Sequence, residues 1–353
     1  MHDSRLLAAA LAGSLLAAGP AAAQWRTIEP GGATVCSDGS PFRFFVHAGD
    51  PARLLVEFEG GGACWSGVTC EADVYTRRIT IDPELARQQG LLVGIYDRGN
   101  ADNPVRDYTH VYVPYCTGDL HWGNKTQTYT GASGDFRIEH KGAVNAASAV
   151  DWAFENATAP TSVLVAGCSA GGYGAALWSA HVMNRYPGAS VAQLADSAAG
   201  VVQTGFFQTV LDNWGVESAW PSFIPSLSLD TLDQARVTLA DLYSGIAGHF
   251  PLFGFSQFNT LQDANQVFFA ALSQGGLVTP DQWSARMQES VATIRAENVN
   301  FASYTAPGSQ HCVINRPELY TTTVGDVRLT DGCGRCSRRA AQAAFPVQTA
   351  HSA

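Results

Sequence analysis

Residues 163–174 read Val163-Leu164-Val165-Ala166-Gly167-Cys168-Ser169-Ala170-Gly171-Gly172-Tyr173-Gly174. A β-branched and apolar run stops abruptly at small residues with a serine among them, and an Ala-rich helical stretch (175–184) follows. That is a strand, a sharp turn and a helix, with Gly167-x-Ser169-x-Gly171 at the turn. Such a turn holds its serine in a strained backbone position with the hydroxyl exposed, and small flanking residues let strand and helix close around it. The functional reading is a nucleophile elbow. The bland reading is a Gly-rich turn that happens to contain serine, and the remainder of the chain has to decide between them.

Working outward from residue 163, strand-like and helix-like segments alternate. Strand-like are 42–47, 53–58, 91–96, 109–115, 161–166, 190–195, 252–256 and 299–304. Helical spacing marks 73–89, 140–156, 173–185, 232–247, 261–272 and 280–297, while 119–134 reads as polar and aromatic loops. This alternation predicts an α/β-hydrolase-like fold: a mostly parallel central sheet with helices on both faces. From Ala199 to Gly254 prolines and aromatics interrupt the pattern, which reads as an inserted helical cap. In parallel sheets sites form at the carboxyl ends of strands. Gly60 to Trp65, Ser169, Asp196 and His311 all fall at predicted strand ends.

The termini read differently from the body. Arg5, an apolar run over 6–18, Pro20 and Ala21-Ala22-Ala23 form the pattern of a cleavable secretory signal over 1–23. The expected catalytic domain is then 24–330, followed by a polar tail over 331–353 with a cysteine pair, and the expected location is secreted or periplasmic. No later stretch is apolar enough to span a membrane. A net charge of −10 argues against nucleic acid as a partner. The expected partner is an ester substrate and the expected state a monomer.

A serine hydroxyl needs an imidazole to take its proton and a carboxylate to hold that imidazole. His311, late in the chain among small and polar residues, is the best base; His121, in an aromatic loop, is a candidate substrate contact. Asp196 and Asp263 compete for the acid. Gly60-Gly61-Gly62, with the amide of Ala170, would form an oxyanion hole, each donor contributing about 3 kcal/mol. No Gly-Lys-Ser/Thr follows the glycines, so a phosphate loop is a poor reading. The eight cysteines are even in number, and an exported chain would hold them as disulfides. Cys168 precedes Ser169 and Cys312 follows His311. If serine and histidine meet, their neighbours come within disulfide reach. Only Cys333-Gly334-Arg335-Cys336 has a Cys-x-x-Cys spacing, so a metal is the weaker reading, and no cofactor is implied.

Five motifs in this order carry a resemblance: Cys36-Ser37-Asp38-Gly39-Ser40-Pro41, Glu59-Gly60-Gly61-Gly62-Ala63-Cys64-Trp65, Val113-Pro114-Tyr115-Cys116-Thr117-Gly118-Asp119, Gly167-Cys168-Ser169-Ala170-Gly171-Gly172 and Asn259-Thr260-x-x-Asp263-x-x-Gln266. Through them the chain resembles the pectin acetylesterase/Notum family of α/β-hydrolase-like carboxylesterases. The resemblance implies Ser169 as nucleophile, Asp263 as acid, His311 as base and Gly61, Gly62 and Ala170 as the hole. It also implies Cys36–Cys116 and Cys64–Cys70 bridges, which leaves Cys333 for Cys336. The chain departs from the family at Gly62, where the animal branch has a bulky aromatic, and in the bland stretch 198–202; both lie near the expected acyl pocket. The expected reaction is ester hydrolysis, with acetylated polysaccharide such as pectin as the first substrate. Lipid esters, protein-linked acyl groups and extracellular polyesters are the alternatives within the enzyme class. A non-catalytic ligand-binding protein on the same fold is the alternative outside it.

Overall fold

The computed structural model describes residues 24–331. The signal-like segment and the Cys333/Cys336 pair lie outside the described residues. In chain order the first ten strands are β1 (Trp25–Ile28), β2 (Phe44–His47), β3 (Asp50–Phe58), β4 (Tyr108–Val113), β5 (Lys125–Gly131), β6 (Gly134–His140), β7 (Ser162–Cys168), β8 (Ser190–Asp196), β9 (Gly254–Thr260) and β10 (Phe301–Ala306), and a two-residue pair, Thr323–Val324 with Val327–Arg328, follows. The helices are α1 (Gly67–Glu71), α2 (Pro83–Gln88), α3 (Gly142–Asn156), α4 (Ala170–Arg185), α5 (Phe206–Trp214), α6 (Leu239–His249), α7 (Ala264–Gln274) and α8 (Pro280–Glu297). Eight strands form one sheet in the order β1-β2-β4-β3-β7-β8-β9-β10. From β4 to β10 every neighbouring pair is parallel, and β1 and β2 add an antiparallel margin. The fold is α/β, as the alternation of segments predicts.

Alternate residues of each strand divide between two cores, as a pleated strand buried on both faces requires. Leu54, Val56 and Phe58 of β3 pack with Val163 and Val165 of β7 against the apolar sides of α3, α4, α6 and α8. Leu55, Ala166, Leu194, Phe258 and Tyr304 face the other way, toward Ile95, Val313, Ile314 and Leu319. The cover on this second face is made of short pieces: α2 and the 3-10 turns Gly94–Tyr96 and Pro317–Tyr320. That arrangement leaves the carboxyl ends of β3 and β7 open to a wide cleft.

Several segments depart from the sequence pattern for local reasons. Residues 91–96 form no strand: 91–93 are irregular and Gly94–Tyr96 make a 3-10 turn, where Gly94 has φ +59° and lies so close to the Ile314 carbonyl that a Cβ would sit 2.2 Å from it. Of the helical stretch 73–89 only α2 forms, capped by Asp82, whose side chain accepts the amides of Glu84 and Leu85. The loop expected over 119–134 instead contains most of a hairpin, β5 paired with β6. Its buried residues are few: Tyr129, Ile138 and His140. α6 begins seven residues later than the periodicity suggests, since Thr238 and Asp241 form a capping box at its start. Among the described residues no helix is long and apolar enough to cross a membrane.

The turn after β7 is closed by contacts that tolerate no side chain. A Cβ on Gly171 would lie 1.9 Å from the Phe58 carbonyl oxygen, and one on Gly167 would lie 2.2 Å from that of Gly171. Backbone cannot retreat as a flexible side chain can. Gly171→Ala is therefore expected to lower the unfolding free energy by about 2–4 kcal/mol, read from the urea midpoint. An unchanged midpoint would show that β3 and α4 pack less tightly than this.

Candidate active site

Ser169 sits at the end of β7 and caps α4 with φ +56° and ψ −124°. That backbone region is costly for any L-residue other than glycine. It is held by the Ser169 amide, which donates to the Asp196 carbonyl at 2.8 Å, while the Ser169 carbonyl accepts from Gly172 at 2.8 Å. Gly60, at the end of β3, runs alongside: a Cβ there would lie 2.6 Å from the Cys168 carbonyl oxygen and 3.0 Å from the Ser169 Cβ. Ser169 is partly exposed, between buried Cys168 and buried Ala170.

His311 lies on the loop after β10, with its side chain 17% exposed. Its Nδ1 is 2.9 Å from both carboxylate oxygens of Asp263. An ionised carboxylate only accepts, so the imidazole proton resides on Nδ1 and Nε2 is left as the basic nitrogen. Asp263 is fully buried and is the N-cap of α7. Its Oδ1 accepts the amides of Asn265 and Gln266, each at 3.0 Å, and its Oδ2 accepts Gln266 Nε2 at 3.1 Å. Three protein donors besides the imidazole thus hold the carboxylate in place at the start of α7. Gln266 is in turn fixed by Asn259 Oδ1 and by the Ala199 amide. The spacing of Asn259, Asp263 and Gln266 in the sequence is therefore the spacing of one buried polar cluster.

Of the two carboxylates that compete in the sequence, Asp263 is the one in contact with the imidazole. Asp196, also fully buried, faces elsewhere. Its Oδ2 accepts the amides of Val313 at 2.6 Å and Ile314 at 2.8 Å, and Ser197 Oγ donates to its Oδ1 at 3.0 Å. Burial pushes Asp196 up to about 6.

The glycine triplet leaves β3 and turns at Gly62, where φ is +77° and a Cβ would lie 2.1 Å from the Val74 carbonyl oxygen. The Gly61 carbonyl accepts the Thr76 amide at 2.8 Å. Gly61 and Gly62 line the cleft that contains Ser169 and His311. Ala170 is the first residue of α4, where the amide has no partner within the helix. His121, the candidate substrate contact, is buried at 1% exposure, and its Nε2 donates to the Glu59 carbonyl at 2.9 Å, steadying the start of the triplet. Burial drives its pKa down to about 4, so it is neutral there. Its signal in the sequence, an aromatic setting, marks a core position equally well. The Glu59 carboxylate accepts the Tyr115 amide at 2.8 Å.

Two cavities meet at Ser169 and His311. The inner one, about 70 Å³, is walled by Trp65, Phe206, Phe207, Trp214, Phe269 and Trp283 among others. The outer one is a wide cleft edged by Glu59, Tyr96, Tyr112, Asn265, Asn315 and Arg316. Trp283 and Phe269 carry no chemical signature in the sequence, and only the fold brings α7 and α8 to the cavity.

Three disulfides join Cys36–Cys116, Cys64–Cys70 and Cys168–Cys312. The last links the residue before Ser169 to the residue after His311, with Cα atoms 5.7 Å apart. Among the described residues, the Cys/His/Asp/Glu groups at ligating distance are Cys64–Cys70–His140 and Cys168–His311–Cys312. In each, both sulfurs are committed to a disulfide and are poor metal ligands.

Residues 27–227 match the family model of pectinacetylesterase. The palmitoleoyl-protein carboxylesterase NOTUM of Schmidtea mediterranea is 32% identical over 94 residues, which is 26% of this chain and 18% of that protein. The matched stretch thus spans less than a fifth of that relative's length. Two crystal forms of the Wnt deacylase Notum from Drosophila superpose with TM-scores of 0.63 and 0.64. They cover 90% and 92% of this chain and 93% and 96% of theirs, at 17% and 18% identity. At that identity the likeness is one of fold.

Burial pushes Glu59 up to about 7, from an ordinary value of about 4.3. The folded state holds this proton more tightly than the unfolded chain does, so ionising Glu59 opposes folding. The penalty is absent below about pH 4 and is complete once the pH has risen through about 7. Between about pH 5 and pH 8 the wild type is expected to lose about 2 kcal/mol more stability than Glu59→Gln. Urea titrations of both proteins across that range measure it; parallel curves would show that Glu59 is ionised at no such cost.

Proposed function

The chain belongs to the pectinacetylesterase family of carboxylic ester hydrolases, and on that premise we propose that it is a secreted serine esterase working through Ser169, His311 and Asp263. The observation that carries this reading is the pinning of His311 Nδ1 between the two oxygens of buried Asp263, with Ser169 on its elbow lining the same two cavities. His311 Nε2 takes the proton of Ser169 Oγ as the oxygen attacks the ester carbonyl. Asp263 stabilises the imidazolium that forms. The amides of Gly61, Gly62 and Ala170 receive the oxyanion. Collapse of the tetrahedral species expels the alcohol, which takes the proton from His311. A water molecule, deprotonated by the same nitrogen, then releases the acid and frees Ser169.

The inner cavity takes the acyl side of the ester and the outer cleft the alcohol side. The small volume of the former and the wide, partly polar edge of the latter support a short acyl group on a bulky hydroxylated carrier. An O-acetylated polysaccharide such as pectin fits that description. A second reading, a longer fatty acyl ester, is favoured by the aromatic wall of the inner cavity and by the planarian relative's name. Export is supported by the formed disulfides.

Ser169→Ala is expected to lower kcat/KM for p-nitrophenyl acetate at least about 1,000-fold with an unchanged unfolding temperature. Wild-type turnover in that variant would show that hydrolysis does not pass through Ser169, whereas a wild-type protein inactive on every ester would favour the ligand-binding alternative. Esters from acetyl to palmitoyl, beside acetylated pectin and xylan, separate the two acyl readings. Highest kcat/KM at acetyl supports the polysaccharide, and a rise toward long chains supports the fatty ester.

A further inference from the structure

The loop that carries His311 follows the last strand of the sheet, and it must be set against a serine 142 residues earlier in the chain. The imidazole is oriented by Asp263, but that contact fixes the ring and not the backbone beneath it. Three successive amides beyond the histidine are gripped from a different strand. The Cys312 amide donates to Ser197 Oγ at 3.0 Å, and those of Val313 and Ile314 donate to Asp196 Oδ2 at 2.6 and 2.8 Å. Ser197 Oγ in turn donates to Asp196 Oδ1, so the pair is closed on itself. All five residues are buried, and Ser197 and Cys312 both adopt left-handed backbone, with φ +56° and +61°. On the other side, the Asp196 carbonyl accepts the Ser169 amide at 2.8 Å. One residue at the tip of β8 therefore holds the nucleophile by its main chain and the histidine loop by its side chain.

We propose that Asp196, assisted by Ser197, is the positioning residue that sets the distance between the nucleophile and its base. The inference rests on the assignment of Ser169 and His311 given above. It separates Asp196 from the triad acid in a way that chemistry can read. A triad acid must carry charge to balance the imidazolium, and an asparagine there fails. A clamp for backbone amides needs an accepting oxygen, which an asparagine carbonyl supplies at the Oδ2 position. Its amide group then faces Ser197 Oγ, which can accept. Alanine supplies nothing and leaves the amides of Val313 and Ile314 buried without a partner. The disulfide at Cys168–Cys312 limits how far the loop can travel, but a bridge with rotatable bonds does not set it to within the fraction of an ångström that proton transfer needs.

The test is steady-state kinetics on p-nitrophenyl acetate well below the unfolding temperature, with active enzyme counted by the burst of p-nitrophenol. Asp196→Ala is expected to lose about 100-fold in kcat with KM nearly unchanged. Asp196→Asn is expected to recover to within about 5-fold of wild type, whereas Asp263→Asn is not. Ser197→Ala, which removes a single acceptor, is expected to lose about 10-fold and decides the matter if Asp196→Ala does not fold. A folded Asp196→Ala or Ser197→Ala protein with wild-type kcat overturns the proposal, even if its unfolding temperature falls. So does an Asp196→Asn protein as inactive as Asp263→Asn. If Ser169→Ala remains active, the assignment of the site has failed instead, and the two failures are told apart by that one variant.

Discussion

A non-glycine residue held at φ +56° between a parallel strand and a helix is the constraint to which the surrounding structure answers. The conformation costs about 1–3 kcal/mol and persists only where neighbours over-determine it. Here the neighbours are backbone. β3 and its glycine extension pass close enough that Gly60, Gly167 and Gly171 have no room for a Cβ, and β8 offers its last carbonyl to the Ser169 amide. The central position of β7, with β3 on one side and β8 on the other, is what supplies both contacts. An edge strand would have offered one of them. Exposure of the hydroxyl is thus a consequence of sheet order: the turn is crowded below by main chain, and the side chain has only the cavity side left.

The same demand for backbone partners explains why acids are buried or half-buried near the site. Asp196, Asp119 and Glu59 each accept amides that irregular chain would otherwise leave unsatisfied. Burial pushes Asp196 and Asp119 up to about 6 and Glu59 to about 7. A raised carboxylate opposes folding as the pH rises through its folded value, so these three lend the fold a preference for mildly acidic conditions. Asp263 meets burial differently. It stands at a helix N-terminus with three protein donors besides the histidine, so its carboxylate oxygens hold a side chain of another loop as well as main chain.

How much of this was legible in the sequence depends on whether a feature is local. The elbow, the periodic spacing of α8 over Pro280–Glu297 and the place of Asp263 at a helix N-terminus each rest on residues close in sequence. The Cys168–Cys312 bridge is long-range, yet it was legible because adjacency to a serine and a histidine that must meet constrains both ends. The β5–β6 hairpin was not, since Thr, Gln, Arg and Glu fill its outward positions and only three residues are buried. His121 and Asp196 show a subtler limit. Their residue types announce chemistry, but burial has turned both to holding main chain. Choosing between Asp196 and Asp263 from the residues alone was therefore out of reach, because both sit where a strand gives way to a turn.

The inner cavity shows why specificity is harder to read than mechanism. Its wall combines Trp65 from the turn after β3, Phe206, Phe207 and Trp214 from α5, Phe269 from α7 and Trp283 from α8. These residues span more than two hundred positions, and all but Trp65 lie on helices where an aromatic residue is ordinary. Trp65 meets Phe206 edge to face with ring centroids 4.8 Å apart, so the wall also supports itself. On the proposed assignment Ser169 stands at the end of β7, and Asp263 and His311 stand just beyond β9 and β10, held by hydrogen bonds to neighbouring backbone and side chains. The wall stands on helices, whose packing can shift by a side chain without disturbing the strands. If the inner cavity takes the acyl group as proposed, a change in the group accepted would need only the α5, α7 and α8 residues to change, with the elbow, Asp196 and the Asp263–His311 pair left as they are.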